Sequence, residues 1–125
     1  MAKFQIKLLN WLAVAAWLGV IFYFSAQPDL KSSLEPSWDY IFRKIAHMAE
    51  FFILAYLFFR ALSASKLSLI QLLLISFLLS LAYAGFDEWH QNQVAGRVAS
   101  IKDVGIDGLG ILSFTILRLL QKPSK

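Results

Sequence analysis

Arg43, His47 and Glu50 recur at i, i+4 and i+7. On a helix this spacing brings a guanidinium, an imidazole and a carboxylate within about 60° of one another, on one face. Ser76, Ser80, Tyr83 and Asp87 follow at i, i+4, i+7 and i+11, a second stripe that Gln91 extends if the helix continues. Asp103 and Asp107 form a third, with Gly110 on the same face. Such side chains suit three kinds of chemistry. Carboxylates and an imidazole can hold a cation, exchange protons with a substrate, or pair with one another to lock helices together.

His47 and Glu50 form H-x-x-E, which Asp87 or Glu88 would complete as a metal site; the plainer reading is a hydrogen-bonded pair stabilising the bundle. A divalent metal is thus the minority expectation and no cofactor is expected. Asp87 and Glu88 are adjacent, so their side chains diverge by about 100°. Asp87 shares the polar stripe and is the better candidate, while Glu88 is expected to pair with Arg97 or Lys102. Arg97, after Gly96, could clamp a carboxylate or phosphate, or form an ion pair with Asp87 or Asp103. Asp103 can be explained as a capping residue favoured by the helix dipole, whereas Asp107 lies deeper and has no such role. Gly105 and Gly108 read as close-packing positions. Trp11, Tyr23, Trp38, Tyr40 and Trp89 read as interface anchors, and His90 as a solvated loop residue. No clear nucleophile is present.

The elements that must position these residues are long and apolar. Of the 125 residues 58% are hydrophobic and 16% charged, which points away from a soluble domain. Crossing a hydrocarbon core takes about 20 mostly apolar residues. Four stretches meet this, at about 8–26, 45–62, 67–86 and 104–120, the last interrupted by Asp107 and Arg118. The expected fold is all-α, a single domain (residues 1–125) built as a bundle of four transmembrane helices. The first stretch follows Lys3 and Lys7 as a signal peptide would, but its core is long and Phe24-Ser25-Ala26 lacks the small-x-small cleavage pattern, so it reads as retained. Residues 63–66 read as a tight turn, Pro28 and Pro36 break a longer loop, Ser37 is a plausible N-cap, and Ser100 with Asp103 resembles a capping arrangement.

There is no cysteine, which excludes disulfides, thiolate zinc sites and cysteine nucleophiles. The net charge of +4 is not gathered into a basic patch with exposed aromatics, so a bilayer, not nucleic acid, is the expected partner. One side of the bundle carries Lys3, Lys7, Arg60, Lys66, Arg118, Lys122 and Lys125; the other carries Lys31, Arg43, Lys44, Arg97 and Lys102. This bias puts both termini in the cytoplasm. All the acidic residues lie on or toward the second side. By helix rise, Glu50 lies about 9 Å below Lys44 and Asp107 about 6 Å below Asp103. Lipid-facing polar stripes would be costly, so the faces should meet inside, forming a polar cavity open to the extracytoplasmic side.

The ordered set Ser25-x-Gln27-Pro28, Lys44-x-x-His47, Tyr83-x-x-x-Asp87-Glu88-x-x-Gln91, Gly96-Arg97, Ser100-x-x-Asp103 and Asp107-x-x-Gly110 resembles the VanZ-like family of small bacterial membrane proteins. The resemblance implies a multi-span protein of the cell membrane. Its namesake is associated with resistance to the glycopeptide teicoplanin. Glu50 stands where the family more often has an uncharged residue and Asp107 where it often has Asn, which makes this cavity more acidic. Candidate cavity residues are therefore Gln27, Lys44, His47, Glu50, Tyr83, Asp87, Glu88, Gln91, Arg97, Asp103 and Asp107. The leading expectation is an envelope protein binding a polar or charged group of a lipid, cell-wall precursor or glycopeptide. A membrane hydrolase, metal-assisted or not, using His47, Glu50, Asp87 and Asp107 is the alternative. A proton- or ion-conducting bundle relayed by Glu50 and Asp107 ranks third, because only Ser76 and Ser80 continue the polar path below.

Overall fold

Long runs of Leu, Ile, Phe and Ala without a proline between positions 37 and 122 leave helix as the only economical backbone state. The computed structural model describes residues 2–25, 36–91, 93 and 101–121. Four helices account for nearly all of them: α1 (Lys3–Ser25), α2 (Pro36–Leu62), α3 (Leu69–Gln91) and α4 (Ile101–Leu120). Each begins or ends within a few residues of its expected span, apart from the extensions of α1 toward the N-terminus, α2 past the membrane length, and α3 through Gln91. Pro36 opens α2, as suits a residue without an amide hydrogen, so Ser37 lies inside the first turn and is not the N-cap.

The segment between α2 and α3 is tight. The Ser63 amide donates to Phe59 O (2.9 Å) and the Ser65 amide to Leu62 O (3.0 Å). Ser68 and Gln71 then form a reciprocal capping box. The Gln71 amide donates to Ser68 Oγ (3.2 Å) and the Ser68 amide to Gln71 Oε1 (3.0 Å), satisfying two donors that a helix start leaves open.

Three helical segments are long and apolar enough to cross a membrane: Lys3–Ser25, Ile41–Leu62 and Leu69–His90. The fourth expected span, α4, is not among them. Lys102, Asp103, Asp107 and Arg118 lower its apolar character, although its 20 residues would rise about 30 Å. α2 is the central helix and packs on the other three, while α3 packs on α1, α2 and α4. Among the described residues α1 and α4 do not touch.

Val14, Ile21, Phe51, Leu54, Ala55, Phe58, Leu73, Ala84, Ile111 and Phe114 form the buried core. At the end where α2 meets α3, Phe114 stands edge-on to Phe52 and Phe59, both with ring centroids 5.7 Å away, and to Tyr56 at 6.0 Å. Edge-to-face contact aligns ring hydrogens with the negative faces of neighbouring rings. The Arg118 guanidinium lies 5.3 Å from the Phe59 ring centre, so the charge near the end of α4 is held on an aromatic face. Many large apolar side chains point outward, including Leu12, Phe22, Ile70, Leu78 and Leu117. Lipid tails are the solvent that makes such a surface inexpensive.

α2 and α4 approach most closely at Gly110. A Cβ there would stand 2.9 Å from the Met48 carbonyl carbon and closer still to its oxygen. Gly105 meets nothing within 4 Å and Gly108 only the tip of Leu81, at 3.9 Å. The close-packing glycine is thus Gly110. It shares the face of Asp107 that turns toward α2, whereas the other two point elsewhere.

Candidate functional site

α1 and α3 end, and α2 and α4 begin, at the same end of the bundle. This arrangement gathers residues distant in sequence. Ser25, the last residue of α1, donates its hydroxyl to Asp87 Oδ1 on α3. Lys44 pairs with Asp103 at the mouth of the α2–α4 contact, where both side chains are about a quarter exposed. One turn deeper, His47 Nδ1 lies 3.2 Å from Asp107 Oδ1 and 4.0 Å from Glu50 Oε2. Asp87 and Asp107 are each 1% exposed. One donor atom apiece from His47, Asp87 and Asp107 falls within 4.8 Å of the others. Asp107 Oδ2 is buried and has no hydrogen-bond partner among the described residues.

Two aromatic side chains fix the frame around this cluster. The Trp17 indole donates to the main-chain oxygen of Glu50 (2.9 Å), using the lone pair that the α2 ladder leaves free. The Tyr83 hydroxyl donates to Leu18 O (2.7 Å), and its ring leans on Phe51 with centroids 6.5 Å apart. Tyr83 is therefore tied to α1, although it lies on the same stripe as Asp87. Below Asp87 that stripe continues with Ser76 and Ser80, both buried, whose hydroxyls have no partner among the described residues. Around them the bundle is apolar.

Of the residues singled out from sequence, Lys44, His47, Glu50, Asp87, Asp103 and Asp107 come together at one end. Gln27 and Arg97, and the side chain of Gln91, lie outside the described residues, as do Gly96 and Ser100. Glu88 is buried (8%) as well as Asp87, so adjacency does not force one of the two into solvent. Glu88 stands outside the trio that Asp87 joins. Asp103 lies in the first turn of α4, where the helix dipole favours it, and its carboxylate receives Lys44.

His90 corrects the expectation of a solvated loop residue. α3 runs through it, its ring packs on Phe22 (4.4 Å between centroids) and stacks with Phe86 (6.3 Å), and its Nδ1 is buried. The run of polar residues after Phe86 resembles a loop in composition, yet Phe22 of α1 offers an apolar wall that keeps the helix intact. Trp38 and Trp89 are 55% and 61% exposed, and Tyr23 is exposed as well. Trp17 gave no sequence signal, since its bond depends on how α1 is rotated against α2. Ser25 was legible from sequence as a polar residue at the outer end of the first span and as part of the Ser25-x-Gln27-Pro28 element.

The model of the VanZ/LLP1 family matches residues 9–121. No curated protein and no solved structure matches the chain. A match over nearly the whole length confirms the resemblance read from the ordered motifs: the chain belongs to the VanZ/LLP1 family, and its apolar helices mark it as a membrane protein.

Proposed function

For this member of the VanZ/LLP1 family we propose an envelope protein whose polar end faces away from the cytoplasm and binds the polar or charged group of a lipid, cell-wall precursor or glycopeptide. The observation that carries this reading is the layer formed by Ser25, Lys44, His47, Asp87, Asp103 and Asp107 at the meeting of all four helices. Charged side chains at such depth are costly without a task, and here the lipid-facing surface is spared them. α4 completes the bundle as a fourth span. Its acidic groups turn inward onto Lys44 and His47, and Arg118 sits on Phe59 near the opposite end. Both termini are then cytoplasmic, as the lysine and arginine bias requires. Lys44 at the rim offers a cation to a phosphate or carboxylate, while the deeper acidic groups accept hydroxyl or amine hydrogens.

The chain has no cysteine, so single substitutions report cleanly on sidedness. In intact cells, Lys44→Cys, His47→Cys and Asp103→Cys, at positions whose side chains are about a quarter exposed, should react with a membrane-impermeant thiol reagent from outside; reaction only from the cytoplasmic face sinks the orientation. Ligand binding is read by native mass spectrometry of the protein released from nanodiscs containing phosphatidylglycerol or phosphatidylethanolamine. Retained lipid should fall at least tenfold in Lys44→Ala and Asp87→Ala, and equal retention by wild type and both variants sinks the binding site.

A second reading, hydrolysis of such a group, is favoured by the His47–Asp107 pair, in which a carboxylate orients an imidazole beside a further carboxylate. Release of headgroup from the bound lipid by wild type and not by His47→Ala would separate catalysis from binding.

A further inference from the structure

We infer that His47, Asp87 and Asp107 form a binding site for one divalent transition-metal ion, of the zinc or manganese class. The trio draws on three helices, and its donor atoms lie within 4.8 Å of one another. In a tetrahedral zinc site with bonds of about 2.0–2.1 Å, neighbouring donors stand about 3.3 Å apart. The 3.2 Å between His47 Nδ1 and Asp107 Oδ1 matches that edge. The widest separation in the trio must close by about 1 Å or more for the same polyhedron, a movement within reach of side-chain rotation.

Charge balance points the same way. Asp87 and Asp107 are both 1% exposed, and two carboxylates in one low-dielectric site oppose each other's ionisation. Lys44 is engaged with Asp103 at the rim, about a turn away from Asp107. A divalent cation would neutralise the two carboxylates with a neutral imidazole as the third ligand. The independent observation is Asp107 Oδ2, which is buried and meets no donor among the described residues. Each unmatched buried polar atom weakens a join between helices, and a cation held by the trio would meet this one.

The donor set is not the H-x-x-E pair alone. Glu50, 4.0 Å from His47 Nδ1, stands beside the trio, and Asp107 of α4 takes the place that the sequence spacing gave to Glu50. Ser25, bonded to Asp87 Oδ1, would orient that carboxylate from α1, as an outer partner of a metal ligand does.

The test uses the full chain in nanodiscs, stripped with chelator and titrated with Zn²⁺ or Mn²⁺ alone. Wild type should take up one ion per chain. Asp107→Asn and His47→Gln should each weaken uptake at least tenfold, with helix content by circular dichroism unchanged. Lys44→Met, at the rim, should change it less than threefold. Absence of a bound ion in wild type, or wild-type affinity in Asp107→Asn, overturns the site. If the variants fail to fold, Co²⁺ retained by wild type after gel filtration decides: one ion per chain supports the site, and none overturns it. Lipid retention measured on the metal-free protein tests the headgroup reading separately, so either can fail without the other.

Discussion

The two ends of the bundle are built from the same four helices on opposite terms. Where α1 and α3 end, packing runs through hydrogen bonds and ion pairs: Ser25 with Asp87, Lys44 with Asp103, His47 with Asp107. Where α2 and α3 join, it runs through rings and branched chains around Phe114, and the serines of the tight turn satisfy their own backbone. Lipid tails supply no hydrophobic drive between helices, so close fit has to hold the apolar end together. The polar end carries desolvation costs that a purely structural join could avoid by using apolar side chains. The difference teaches that polar and apolar joins are separated by depth, with Gly110 and Met48 marking the border.

The strongest challenge to this contrast is a side chain at the border. Gly110→Leu should abolish a stable bundle, and Gly110→Ala should cost about 3 kcal/mol, because the Met48 backbone cannot yield as a side chain would. Unfolding by sodium dodecyl sulfate titration reads both, and an unperturbed Gly110→Ala would show that α2 and α4 are not in close contact there. At the apolar end, Phe114→Ala should cost about 2–3 kcal/mol through the space it leaves, while lipid retention stays within twofold of wild type. Retention that collapses together with stability would erase the division of labour. At the polar end, Asp107→Ala removes the partner of His47 and should cost about 1–2 kcal/mol, less than its effect on binding. The smallest effect is expected for Lys44→Ala, about 0.5 kcal/mol in stability, since its ion pair is partly exposed and screened. A larger loss would place the rim pair among the elements that hold the helices.

The inward faces were legible because a charge in a bilayer has few places to go, and rotation by about 100° per residue then says which neighbours share its face. This is why Asp87, Asp107 and His47 could be grouped from sequence. Register between helices carries no such periodic signal. The bond from Trp17 to Glu50 O and that from Tyr83 to Leu18 O depend on the sliding of α1 against its neighbours, which hydropathy does not encode. Gly105 and Gly108 read as the close-packing positions in sequence, whereas the tight contact with Met48 falls to Gly110, on the face it shares with Asp107. The Ser68-x-x-Gln71 box was readable by its spacing, yet the apolar residues on both sides drew the expected span start to Leu67. The fourth helix was the hardest to weigh. Two of the charges that exclude it from the apolar segments, Asp103 and Asp107, are ones that pair with α2.

The attachment of α1 has a consequence for biosynthesis. Ser25 finds its partner 62 residues later in the chain, Trp17 finds its acceptor 33 residues later, and Leu18 waits 65 residues for Tyr83. At about 5–20 residues per second, the ribosome delivers Asp87 on the order of 3–12 s after Ser25. During that interval the first helix has no α3 to dock on and is held first by its own apolar length and then by α2 alone. A second copy, a chaperone or an insertase meeting the nascent chain in those seconds would encounter α1 before its place in the bundle exists.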